Sequence, residues 1–182
     1  MQLAVTVVGK DLPGIVCEVS TLLSESGCNI DNVSQTVLHY VFAGIFVITP
    51  PRDMDEARVQ ERLSLALQEK GLQVSAQALE EGEGSSLGDT EPFVVVCIGR
   101  DRLGLVSTVT CVMKEYGVNI VNMQFVGESS SFPGKTVSIY EVEVPRGQDL
   151  SRFAASLQSR AEEVGLEVSV QHKRIFADIC RI

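Results

Sequence analysis

The sequence predicts an α+β protein made of two copies of one β-α-β-β-α-β unit, and two observations carry that prediction. The first is an internal repeat. Gly9-Lys10-Asp11-Leu12-Pro13-Gly14-Ile15-Val16 recurs 90 residues later as Gly99-Arg100-Asp101-Arg102-Leu103-Gly104-Leu105-Val106. The same displacement carries Gly27-Cys28-Asn29-Ile30-Asp31-Asn32 to Gly117-Val118-Asn119-Ile120-Val121-Asn122. Ten of the 24 residues from 9 to 32 are identical to their counterparts, where unrelated segments would share roughly one or two. Further on the displacement is 94, so that Gly71-Leu72-Gln73-Val74-Ser75 matches Gly165-Leu166-Glu167-Val168-Ser169; the four added residues fall in a longer loop at 127–134. The second observation is that hydrophobic periodicity switches between strand and helix in the same order within each copy.

Each element follows from local chemistry. The first strands, around Val5 and Val7 and around Val95 and Cys97, are apolar at successive positions, as a central strand covered on both faces would be. Ile15, Val19, Leu22 and Leu23, with their counterparts Leu105, Val109, Val112 and Met113, form one core-facing helical stripe. Gly27 and Gly117 stop these helices. Second strands are expected over Ile30–Tyr40 and Ile120–Gly127, and third strands over Val41–Thr49 and Thr136–Val144. Val59, Leu63 and Leu67, and Phe153, Leu157 and Ala161, mark the second helices. Leu72, Val74 and Ala76, and Leu166, Val168 and Val170, alternate with polar residues as half-buried fourth strands would. This gives domains at 1–79 and 92–182, joined by an acidic, Gly/Ser-rich linker at 80–91. Two antiparallel sheets with helices on one face are the ferredoxin-like plan.

Composition narrows the function. Of the 182 residues, 45% are hydrophobic and 21% charged, which is ordinary for a globular chain. The longest clear apolar run, Phe93–Ile98, is strand-sized, so no membrane span is expected. The start, Met1-Gln2-Leu3-Ala4-Val5, has no basic region ahead of an apolar one, and cytoplasm is the expected compartment. Five cysteines without a C-x-x-C pair read as free thiols, and two histidines leave little for a metal site; no cofactor is expected. The net charge of −9 argues against a broad nucleic-acid surface. By region it is −4 over 1–79, −5 over 80–91 and zero over 92–182, so the exclusion is weaker for the second domain, with its His172-Lys173-Arg174.

The strand followed by Gly-Lys/Arg-Asp-x-x-Gly-Ile/Leu-Val at a helix start, then Gly-x-Asn-Ile at the head of the second strand, resembles the ACT domain, a small-molecule-sensing module. Two such domains in tandem are similar to the glycine cleavage system transcriptional repressor family. The resemblance implies a regulatory protein, not an enzyme, that binds a small amino acid such as glycine and acts by contact with a protein partner such as a transcriptional regulator. It implies that the ligand sits where the loop after strand one of one domain meets the start of strand two of another. That pairs Asp11, Leu12, Gly14 and Ile15 with Asn119 and Ile120, and Asp101, Arg102, Gly104 and Leu105 with Asn29 and Ile30. Leu12 and Pro13 become Arg102 and Leu103 in the second copy, so the two loops are not chemically equivalent. Edge strands make a homodimer expected.

These residue types suit the chemistry on physical grounds as well. A helix N-terminus offers N–H groups to a carboxylate, glycine permits close approach, aspartate can pair with an ammonium group, and an asparagine amide donates and accepts at once. Such charge-assisted contacts contribute about 1.5 to 3 kcal/mol each. The plainer reading stands beside this one: Asp11-Leu12-Pro13-Gly14 is also a strand-to-helix turn with aspartate near the cap, and asparagine after a helix-ending glycine is ordinary turn chemistry. Cys28, next to Asn29, would sense oxidation only with a lowered pKa; a buried, inert thiol is simpler. His39 and His172 read as solvent-facing strand residues without a catalytic partner set. Valine-rich central strands lack the aromatic platforms of RNA-binding sheets. Two alternatives to the sensor remain, an ACT interaction or oligomerisation module without ligand, and an acylphosphatase-like enzyme using Arg100 or Arg102.

Overall fold

The computed structural model describes residues 1–79, 88–128 and 132–179. The chain divides into two compact units, Met1–Gly84 and Ser85–Ile182. The first contains β1 (Gln2–Lys10), α1 (Ile15–Glu25), β2 (Asn29–Leu38), β3 (Val41–Thr49), α2 (Glu56–Leu67) with a 3-10 turn at Gln68–Lys70, and β4 (Gln73–Leu79). The second repeats the order with β5 (Thr90–Gly99), α3 (Leu105–Glu115), β6 (Asn119–Val126), β7 (Thr136–Pro145), α4 (Leu150–Glu163) and β8 (Leu166–His172), and adds α5 (Lys173–Ile179). The sheets run β2-β3-β1-β4 and β6-β7-β5-β8, with every pairing antiparallel. This is the expected α+β arrangement of two β-α-β-β-α-β domains.

The predicted stripes meet in the cores. In the first domain Ile15, Val19 and Leu23 of α1 and Val59, Leu63 and Leu67 of α2 pack with Leu3, Val5, Val7, Phe42, Phe46 and Ile48. In the second, Leu105, Val109, Val112 and Met113 join Phe153, Leu157 and Ala161 over Val95, Cys97, Tyr140 and Val142. Both first helices end in the same left-handed glycine cap. Gly27 and Gly117 have φ of 73° and 65°, and the N–H groups of Cys28 and Val118 donate back to the carbonyls of Leu23 and Met113 at 3.0 and 2.9 Å.

Gly9 and Gly99 have a purely spatial reason. A Cβ on Gly9 would lie 2.8 Å from the Gly71 carbonyl oxygen, and one on Gly99 would lie 2.7 Å from that of Gly165. The chain entering the fourth strand passes directly over the end of the first.

Several expectations shift. β2 ends at Leu38, because His39 and Tyr40 form the two-residue turn into β3 with His39 in the left-handed region, φ 56°; His39 is therefore a turn residue, a conformation histidine tolerates better than most. β6 stops at Val126. His172 ends β8 half-buried, its ring edge-on to Phe93 with centroids 5.2 Å apart. Thr90 and Glu91, read as linker, already belong to β5 and pair with Pro145 and Val144; linker residues 80–87 lie outside the described residues. β1 is not covered alike on both faces: Val5 and Val7 are fully buried, whereas Val8 is 41% exposed.

Candidate ligand-binding site

At one end of the first domain, β1 hands over to the loop Asp11–Gly14 and then to α1. The Asp11 N–H donates to the Tyr40 carbonyl at 2.8 Å, tying the loop to the β2–β3 turn. Asp11 does not cap the helix. The N-cap is Gly14, in left-handed geometry at φ 92° and with no side-chain cap bond, and open space lies where its Cβ would be. Gly104 caps α3 in the same way at φ 89°. The other long helices differ: Asp55 accepts from the Arg58 N–H at 2.9 Å and Asp149 from the Arg152 N–H at 3.0 Å. Among the described residues no side chain thus accepts from the first-turn N–H groups of α1 and α3, and their positive helix ends face outward.

Not every predicted residue offers its side chain there. Ile15 and Leu105 are buried in the domain cores and Leu12 packs half-buried against the first; Ile15 and Leu105 present only their N–H groups. Asp11, Asp101 and Arg102 are exposed.

Asn29 and Ile30 lie at the opposite end, at the head of β2. A β-bulge between Ile30 and Asn32 displaces Asp31 from the ladder, and the same bulge recurs between Ile120 and Asn122. The Asp31 carboxylate accepts from Asn29 Nδ2 at 2.6 Å, Thr49 Oγ1 at 2.6 Å and Gln2 Nε2 at 3.0 Å. These donors, Thr49 first, hold its pKa below the ordinary carboxylate value. In the second domain Val121 occupies the bulge, and the residue opposite Asn119 is Glu143, whose carboxylate accepts from Thr90 Oγ1 at 2.7 Å. Asn119 and Ile120 instead line a shallow depression of about 420 Å³ with Met113, Lys114, Gly117 and Val118.

Within one domain the two halves do not meet. An eleven-residue helix separates the Gly14 loop from Asn29, and another separates Gly104 from Asn119; each spans about 16 Å at 1.5 Å per residue. A ligand touching both a loop and a strand-two asparagine needs each from a different domain.

Sequence reading missed Glu128, Pro133, Gly134, Lys135 and Thr136, which with Arg100 and Asp101 line a depression of about 500 Å³. The signal was present in the shift of displacement from 90 to 94. Across it, Leu38, Val41 and Phe42 of the first domain give way to Glu128, Lys135 and Thr136.

Two further features are explained locally. Cys28 is buried, its Sγ 4.0 Å from the Met54 sulfur, and burial pushes its thiol pKa up, away from reactivity. Lys173, from the basic segment, donates to Glu141 at 2.5 Å. That bond lowers the glutamate's pKa and raises the lysine's. Among the described residues no helix is long and apolar enough to cross a membrane.

Comparison with known proteins agrees with the fold. An ACT-domain family model matches residues 1–77. A UPF0237 protein of Methanosarcina acetivorans is 34% identical over 91 residues, covering 50% of this chain and 95% of that protein. The crystal structure of an unknown protein from Galdieria sulphuraria superposes with a TM-score of 0.76 at 25% identity, covering 94% of this chain and 97% of its own. A "putative glycine cleavage system transcriptional repressor" shares the fold with a TM-score of 0.70 at 20% identity, over 93% and 95% of the two chains. With its family-model match, its 34% identity across nearly the whole of a relative and the fold repeated in its second half, the chain belongs to the UPF0237 family of ACT-domain proteins.

Proposed function

We propose that the protein is a cytoplasmic regulatory sensor that binds a small amino acid where ACT domains meet and passes the signal to a protein partner as a homodimer. The observation that carries this reading is the paired, uncapped N-termini of α1 and α3 behind left-handed glycines, in a chain that caps α2 and α4 with aspartates. An α-carboxylate fits those N–H groups, and Asp11 or Asp101 fits the ammonium group. Asn119 is the freer of the two asparagines, so the site pairing Asp11 and Gly14 with Asn119 and Ile120 is the better candidate for a neutral amino acid such as glycine. A ligand that favours one arrangement of the domains shifts that equilibrium, and a partner reads the shift. The likeness to the glycine cleavage repressor supports a role in transcriptional regulation of that kind through a protein contact.

Thermal unfolding in the presence of each of the twenty amino acids tests this. A ligand at 100 times its Kd stabilises the native state by about 2.7 kcal/mol, roughly several degrees of Tm at this size. The shift is expected to fall in Asp11→Ala and Asn119→Ala. Gly14 is the poorer position to mutate, since any side chain at φ 92° strains the backbone. No shift with any amino acid sinks the sensor reading.

One observation favours a second reading, an interaction module without ligand. The sheet face of the first domain opposite its helices exposes Val8, Val41 and Ile45 at 40 to 48%. Loss of self-association in Ile45→Lys, with no response to amino acids, would promote it. Hydrolysis of acyl phosphate abolished by Arg100→Ala would replace both readings.

A further inference from the structure

Along β3 the side chains alternate strictly. Phe42, Phe46 and Ile48 point into the first core, which leaves Val41, Ala43, Ile45 and Val47 on the sheet face away from the helices. The strand registers put Thr6 and Val8 of β1, Ser34 and Thr36 of β2 and Ser75 of β4 on the same face. Lys10 closes it at one end and Asp31 at the other, and no residue paired between them is charged. Depletion of charge is the compositional mark of an interface core.

The same face of the second domain is built differently. Val47, Thr49 and Gln73 give way to Glu141, Glu143 and Glu167. It also has a cover of its own: α5 packs on β5 and β8, and Lys173 at its start donates to Glu141 at 2.5 Å. Ile45 and Val8 are 48% and 41% exposed, whereas their counterparts Ile139 and Ile98 are half-buried. Three glutamates on one face repel a second copy of themselves, and against the first domain's face they would bury carboxylates beside apolar groups. The acidic stretch at 80–91 is a poor cover for the first face for the same reason.

We infer that the open sheet face of the first domain is where a second copy of this chain docks, face to face, with Ile45 at the centre of the contact. Ile45 stands midway along β3, between Thr6 and Ser34 of the flanking strands. Beside it lies a depression of about 270 Å³ lined by Thr6, Val8, Ser34, Thr36, Ala43 and Ile45 itself. The small residues leave room for an isoleucine side chain, and a two-fold axis at this point lets each copy supply both the knob and the hole. Stacked sheets pack about 10 Å apart by interdigitation of this kind. Four strands by about seven residues measure about 450 Å². Two copies then bury on the order of 900 Å², the size of a reversible dimer and not of a permanent one. The inference rests on the homodimer in the proposed function and adds the surface that forms it.

Sedimentation equilibrium of the full chain from about 1 to about 300 μM tests it. The parent is expected to pass from monomer to dimer within that range. Ile45→Lys and Ile45→Glu should each weaken dimerisation at least about hundredfold, because every dimer carries the substitution twice. Their Tm should match the parent's at concentrations where the parent is monomeric, since Ile45 is already half exposed. An equimolar mixture of the two variants should recover dimers, which a folding defect would not produce. Leu65→Lys, at an exposed position of α2, should leave the equilibrium unchanged. Dimerisation untouched by Ile45→Lys, or lost instead in Val37→Lys on the helix side of the β2 edge, would overturn the inference. So would variants that stay monomeric when mixed. A parent that stays monomeric throughout would overturn this interface and the homodimer together, whereas amino-acid sensing stands or falls on the thermal shifts alone.

Discussion

Asn29 donates its side-chain amide to Asp31 across the β-bulge at the head of β2, Nδ2 to Oδ1 at 2.6 Å, while its counterpart Asn119 stands two residues from Val121. The repeated Gly-x-Asn-Ile motif therefore presents two different groups, one asparagine held by its own strand and one open.

Because three donors favour the ionised form of Asp31, its carboxyl pKa is lower folded than unfolded. Its contribution to stability is present above the unfolded value of about 3.9 and fades as pH falls through the lowered folded value. Asp31→Ala is expected to melt below the parent at pH 6 and to converge with it as pH falls through the lowered folded value. Thermal unfolding monitored by circular dichroism across that range checks the sign; a gap that widens in acid contradicts it.

Gly9→Ala and Gly99→Ala force a Cβ to within 2.8 Å of a backbone carbonyl oxygen that cannot move independently of the following strand. Each substitution is expected to cost about 1 to 3 kcal/mol. Gly127→Ala meets nothing within 4 Å and should stay within about 0.5 kcal/mol of the parent. Urea unfolding of the three variants separates the packing requirement from any loss of glycine flexibility.

Tyr140 is fully buried, and among the described residues its hydroxyl makes no hydrogen bond, although neighbouring Ser138 partly offsets the effect of burial on its pKa. Burial drives its pKa up, as it does for neighbouring Cys97, pushed to about 11. The first domain has Phe46 at this position. Tyr140→Phe is expected to stabilise the second domain by about 1 kcal/mol, removing a desolvated hydroxyl without opening a void. A lower urea midpoint for the variant would show that the hydroxyl is bonded after all.

The aspartate caps of α2 and α4 give a fourth comparison. Asp55→Ala and Asp149→Ala each remove a side-chain acceptor from a helix start and are expected to cost about 1 kcal/mol. Asp11→Ala and Asp101→Ala, which precede helices capped by glycine, should cost under about 0.5 kcal/mol. If the losses are equal in unfolding experiments, Asp11 and Asp101 serve the fold and the case for reserving them for a ligand falls.

How far the sequence reached can be followed at single residues. The stripe Ile15, Val19, Leu23 was legible because a helix repeats every 3.6 residues, and all three are buried. The break between the second and third strands was legible ahead of Val41, but not that His39 and Tyr40 leave the strand to form the turn, because the apolar pattern of Val37 to Phe42 runs on without a glycine or proline to break it. α5 escaped because it follows β8 directly, past the end of the repeat. At the candidate site, Gly14 and Gly104 stood out as a repeated pair, yet sequence could not tell a left-handed cap from a glycine that admits a ligand. The cap geometry accounts for the residue by itself, and the open space above it leaves the second role available.

By itself the sequence determined the repeat, the order of elements and the core stripes, since those depend on periodicities within short stretches of chain. Tertiary structure decided the rest. It set Asp11 and Asn29 at opposite ends of α1, so that no single domain unites them, and brought Thr49 and Gln2 to join Asn29 as donors to Asp31. It also gathered Arg100 and Asp101 with Glu128 and Lys135 around one depression. Those outcomes depend on which strands become neighbours, and antiparallel pairing brings together residues about 30 positions apart whose chemistry gives no local sign of the meeting.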